Sequence, residues 1–129
     1  MKIVATLVCL IGSCLLAQTP PNPAFNPIEE QAGLPRVLII GDSISIGYTL
    51  PVRDLLAGEA NVLRIPTNGG TTGNGVFNMD TWLGKQKWNV IHFNFGLHDL
   101  KRLSDGEPQV PLALYERYLR LFVARAKET

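Results

Sequence analysis

The chain has 129 residues, 46% apolar and 18% charged, with a formal net charge of +1. That length suits one domain, and the composition is globular rather than disordered. A charge so near balance argues against nucleic acid or an anionic membrane surface as partner, since both select for clustered excess cations.

Met1-Lys2 and the almost unbroken apolar stretch from Ile3 to Ala17 have the basic start and short hydrophobic centre of a secretory signal, read here as residues 1–17. The stretch is too short for a membrane span, so no transmembrane span is expected in the mature chain. Ile11-Gly12-Ser13-Cys14 also resembles a bacterial lipobox, which would place a lipid anchor on Cys14. The expected location is secreted or periplasmic, with a membrane-anchored lipoprotein as the alternative. Both cysteines, Cys9 and Cys14, lie in this segment. Cleavage after Ala17 leaves a chain with no thiol, and therefore no disulfide framework or cysteine metal site. It also removes Lys2, so the remaining basic residues equal the 11 acids.

Residues 18–33 are proline-rich, with Pro20, Pro21, Pro23 and Pro27 close together, and read as a tether. The domain is expected over 34–129. Its first element is Val37-Leu38-Ile39-Ile40, too short for a helix and rich in branched side chains, hence a strand covered on both faces. Gly41-Asp42-Ser43-Ile44 follows at the strand end. A helix is expected from about Ile46 or Tyr48 to Ala57, with Pro51 near its first turn and Gly58 as its stop. Asn61 to Ile65 reads as a second strand ended by Pro66, and Thr67 to Gly75 as a glycine-rich loop.

Val76 to Leu83 is a short helical segment closed by Gly84, and Trp88 to Phe95 a third strand, after which comes Gly96-Leu97-His98-Asp99. From Pro111 onward, Leu112, Tyr115, Leu119, Phe122, Val123 and Ala126 mark one stripe of a helix, with Glu116 and Arg120 spaced for an exposed pair. Strands alternating with helices imply βαβ units and a parallel sheet. Three strands fall short of the usual number for such a sheet, so the sequence reads as the amino-terminal part of a longer domain, or as a short chain that completes its sheet by oligomerising.

In open α/β sheets the ligand crevice lies beyond the carboxyl ends of the strands. Three strand-end loops therefore carry the chemistry. Ser43 is a nucleophile candidate, although Asp and Ser also serve simply to turn a chain and cap a helix. Gly69, Gly70, Gly73 and Gly75 can be ordinary turn glycines. Taken together, Gly41-Asp42-Ser43-Ile44, the Asn68/Gly70/Gly73 block and Gly96-Leu97-His98-Asp99 resemble the first three sequence blocks of the SGNH, or GDSL, hydrolases. The resemblance runs from Leu34 to Asp99.

That resemblance implies a flavodoxin-like three-layer α/β/α fold with a parallel sheet, incomplete in this chain. It also implies hydrolysis of an ester, such as a carbohydrate acetyl ester or a lipid ester, through an acyl-serine. Ser43 would be the nucleophile. Its backbone N–H, that of Gly70 and a donor from His98 would form the oxyanion hole, with Gly73 conformational and Asp42, Asn68 and Asp99 supporting the loops. His98 stands where the family has asparagine, and an imidazole can donate one N–H if the right tautomer is held. It is the wrong position for a general base to Ser43. His92, inside the third strand, is expected to be a packed or hydrogen-bonded core residue.

The family's Asp-x-x-His motif, source of the triad acid and base, does not occur in the sequence. The 129 residues alone are therefore expected to be nearly inactive. No cofactor and no metal is implied. Two other functions fit parts of the pattern: a non-catalytic binding domain that keeps the fold, and a nucleotide or flavin binder using 67–75. The second lacks a Walker lysine and a Gly-x-Gly-x-x-Gly helix start.

Overall fold

The computed structural model describes residues 21–129. The signal, the lipobox and both cysteines lie outside the described residues. Six elements follow one another as β1 (Arg36–Gly41), α1 (Ser43–Leu55), β2 (Asn61–Arg64), α2 (Thr72–Leu83), β3 (Val90–Asn94) and α3 (Leu112–Ala126). The strands form one parallel sheet in the order β2-β1-β3. This is the expected class, an incomplete flavodoxin-like α/β arrangement with helices on both faces of the sheet.

The continuous apolar run of β1 is explained by its central place, because both its faces are covered. Leu38 and Ile40 point to one face, where they meet Ile65, Leu83 of α2 and Phe122 of α3, all buried. Phe93 and Phe95 close that side, with ring centroids 5.0 and 5.7 Å from Phe122. Val37 and Ile39 point to the other face, beside Tyr48 and Val52 of α1.

The periodic stripe expected on α3 is only partly inward. Phe122 is buried and Tyr115, Leu119 and Ala126 are half-buried, whereas Leu112 and Val123 are exposed. The Glu116–Arg120 pair forms, at 2.8 Å on the surface.

Two helices start earlier than their sequence suggests. α1 begins at Ser43 because the Asp42 carboxylate accepts the Ile44 N–H at 2.9 Å, capping the first turn. Pro51 thus lies in the helix interior, not in its first turn. Having no N–H, Pro51 cannot donate to the Gly47 carbonyl four positions earlier. α2 begins at Thr72, capped by the Thr71 hydroxyl, so Gly73 and Gly75 belong to a helix rather than to the loop. A β-carbon on Gly75 would sit 2.7 Å from the Phe95 ring, which is why glycine serves there.

Ahead of β1, Pro23–Phe25 makes a 3-10 turn that buries Ala24 against the domain. Asn61 holds the following segment by accepting the Gln31 N–H and donating to the Gln31 carbonyl, at 2.8 and 2.9 Å.

Phe122 joins α3 to both the sheet and α2. Phe122→Ala is expected to cost about 3–5 kcal/mol of stability, read as a lower urea midpoint with an unchanged slope when Trp82 and Trp88 fluorescence is followed.

Candidate active site

Ser43 occupies the first helical position of α1, immediately after the carboxyl end of the central strand. Its side chain is exposed. Neither its Oγ nor its backbone N–H is hydrogen-bonded to any group among the described residues. The residues around it are fixed more firmly. Asp42 is buried and caps the helix through Oδ1, and the Ser45 hydroxyl donates back to the Asp42 carbonyl at 2.7 Å. Asp42 Oδ2 is buried with no partner among the described residues, an unusual cost for a carboxylate.

The second loop is drawn onto the end of β1 by a backbone bond, Gly69 N–H to Gly41 O, at 2.8 Å. A β-carbon on Gly69 would lie 2.9 Å from that same carbonyl oxygen, so the approach requires glycine. Gly70 is the one glycine of this loop with positive φ, at +61°. Its N–H does not face open space: it donates to Asn68 Oδ1 at 2.9 Å, closing an Asx turn. Three residues on, in the first turn of α2, the Gly73 N–H donates to no group among the described residues. Thr71 N–H is likewise unpaired among the described residues, so the donors available at this helix start belong to Thr71 and Gly73, and Asn68 holds Gly70.

Asp99 carries the third loop. Its buried carboxylate accepts the Thr72 N–H at 2.9 Å and the Thr72 hydroxyl, which clamps the turn after β3 to the start of α2. The adjacent His98 is half-buried, and neither ring nitrogen is bonded to a group among the described residues. Gly96 holds φ of +137°, where the chain leaves the strand. The first loop is thus tied to the second by a main-chain bond, and the second to the third by a buried carboxylate.

Arg64 gives the site an electrostatic support that the sequence did not reveal. From the end of β2 its guanidinium reaches α1, donating to Thr49 Oγ1 at 2.9 Å and Ser45 Oγ at 3.4 Å. It also donates to the carbonyls of Ile65 and Thr67 at 3.0 and 3.2 Å, and lies 5.0 Å from the Phe25 ring centroid. Burial holds its pKa below the ordinary arginine value. Burial also raises the Tyr48 phenol, against an opposing pull from Arg64. Ser45 and Thr49, hydroxyls one turn apart on α1 and opposite a strand arginine, were the available sequence signal.

His92 corrects an expectation. It is hydrogen-bonded, with its Nε2 2.8 Å from Tyr48 Oη, but it is exposed rather than a core residue. β3 is an edge strand, and its residues on the α1 side lack a covering helix there. Among the described residues there is no cluster of three or more His, Cys, Asp or Glu suited to a metal ion, and no helix is long and apolar enough to cross a membrane.

Comparison with protein-family models, curated proteins and solved structures finds no match to this chain. The functional reading rests on the residues themselves.

Asp99→Ala removes a charged acceptor and leaves a buried Thr72 N–H unpaired. The expected loss is about 1.5–3 kcal/mol, accompanied by faster hydrogen exchange at the Thr72 amide. Asp99→Asn, which keeps one acceptor oxygen, should recover part of both.

Proposed function

We propose that the chain is the nucleophile-bearing part of a serine hydrolase acting on an ester, of the kind its three loops resemble. The observation that carries this reading is Ser43: an exposed hydroxyl with no hydrogen bond among the described residues, held on a rigid helix start at the end of the central strand. Exposed serines are ordinary, but few follow a buried, helix-capping aspartate at the end of a central strand, with their own N–H also unpaired among the described residues.

In the proposed reaction Ser43 Oγ attacks the acyl carbon, and its proton passes through a base or solvent water to the alcohol oxygen that leaves. The carbonyl oxygen becomes negative and is stabilised by donors fixed in advance, a contribution for which one donor is typically worth about 10²- to 10³-fold in turnover. The Ser43 N–H, the Thr71 and Gly73 N–H groups and one ring N–H of His98 are the donors this chain offers. Gly70 is assigned to the loop's shape, since Asn68 takes its N–H. The alcohol leaves, and water then releases the acid from the acyl-serine. Carbohydrate acetyl esters and lipid esters are the substrate classes considered.

The sequence contains no Asp-x-x-His, and His92 is engaged by Tyr48. Loss of a serine hydrolase's base can remove about 10⁶-fold of turnover. Steady hydrolysis by the 129 residues alone is therefore expected to stay near background, while a fluorophosphonate, reactive enough to need less assistance, should slowly label the peptide containing Ser43. Peptide mapping by mass spectrometry reads this directly. Ser43→Ala should abolish the adduct; an adduct that persists elsewhere would overturn the assignment.

A second reading, a non-catalytic binding domain on the same fold, is favoured by the Gly70 N–H being taken by Asn68. Saturable binding of an ester or carbohydrate with no adduct at Ser43 would decide for it.

A further inference from the structure

The third loop borders a concavity of about 160 Å³ that none of the preceding roles uses. Pro108, Val110 and Tyr115 form its walls, the largely exposed Leu100 and Leu112 its rim, and Gly96 and Asp99 of the turn its inner end. We propose that this pocket binds an unbranched apolar chain of about six carbons carried by the ester substrate; the assignment to substrate rests on the hydrolase reading, whereas the binding itself does not.

The first argument is the chemistry of the lining. Two side chains here could offer polar atoms, and both are engaged elsewhere. The Asp99 carboxylate is turned to Thr72, and the Tyr115 hydroxyl donates to the Phe95 carbonyl at 3.3 Å. The remaining walls are aliphatic, so the pocket selects against a sugar ring or any group that needs hydrogen bonds.

The second argument is size. An engineered cavity of about 150 Å³ with aliphatic and aromatic walls accepts benzene, an apolar group of six carbons. An acetyl group would leave most of this pocket unfilled.

The third is rigidity. Residues 101–109 form a tight hairpin, with Gln109 N–H to Lys101 O and Leu103 N–H to Glu107 O both at 2.8 Å. Val110 is fixed by its N–H to the Asp99 carbonyl at 3.1 Å. A β-carbon on Gly96 would come within 3.5 Å of the Tyr115 hydroxyl, and φ of +137° already requires glycine there. The pocket is therefore largely formed before any ligand arrives.

Its place connects it to the site. Gly96 and Asp99 lie on the same turn as His98, one on each side of it in sequence. A chain seated in the pocket would lie against the turn that carries His98. Acyl and alcohol parts of an ester share this chemistry, so the experiment must separate them.

The 129-residue chain is titrated with methyl acetate, methyl hexanoate and hexyl acetate while the methyl resonances of Leu100, Val110 and Leu112 are followed by NMR. Each buried methylene strengthens binding about fourfold. Discounting for the open mouth, at least one six-carbon ester should bind tenfold or more tightly than methyl acetate, with shifts at those three residues. The tighter of the two identifies the side of the ester that enters. Val110→Phe, which fills the pocket, should weaken six-carbon binding at least fivefold with an unchanged circular dichroism spectrum. If that variant does not fold, the shift map of the unaltered chain decides alone. Equal affinity for all three esters, or shifts confined to other residues, overturns the pocket even if Ser43 is labelled. Chain-length preference without Ser43 labelling keeps the pocket and removes the hydrolase.

Discussion

Everything at the carboxyl end of this sheet depends on the absence of a side chain at Gly41. On one side the paired strand places Asn94 against it, so that a β-carbon would overlap Asn94 Oδ1 and lie 2.9 Å from the Asn94 carbonyl. On the other, Gly69 approaches closely enough to donate to its carbonyl. Two glycines thus allow three strand ends to converge. A methyl group at position 41 or 69 would separate the first loop from its neighbours before any question of catalysis arose.

The central strand was legible because a parallel, doubly covered strand demands branched apolar residues in succession, and Val37 to Ile40 carry that demand openly. Helix starts were harder to read. Ser43-Ile44-Ser45-Ile46 has poor helical propensity; Asp42 caps its first turn, and Arg64 bonds to the Ser45 and Thr49 hydroxyls from outside. The cap is local, but that arginine comes from β2, outside any local window. Gly73 and Gly75 misled in the same way. They appeared to be loop residues, yet what requires Gly75 is the Phe95 ring, twenty residues away in sequence.

Of the candidate site, residue types were readable and roles were not. The three blocks pointed to Ser43, Asp42, Asn68, Gly70, His98 and Asp99, and all of them lie at or just after strand ends. Which glycine N–H remains available depends on the direction of a single amide side chain, that of Asn68. The pocket was invisible to sequence for a different reason. Its walls come from a hairpin, a turn and a helix start, and Leu112 seemed to belong to an inward stripe when it is in fact a rim residue.

The two edges of the sheet are not equivalent. On β2 the Arg53 side chain bonds to the outward Val62 carbonyl at 3.0 Å, so that edge is partly closed by a charge. On β3, register with β1 turns the backbone groups of Val90, His92 and Asn94 outward, and Val90 is half exposed beside them. Among the described residues, the β3 edge is therefore the more open of the two. A strand added along β3 would lie next to the aromatic pair Tyr48 and His92, making the Tyr48 fluorescence and the ring-proton signals of both residues natural reporters of self-association.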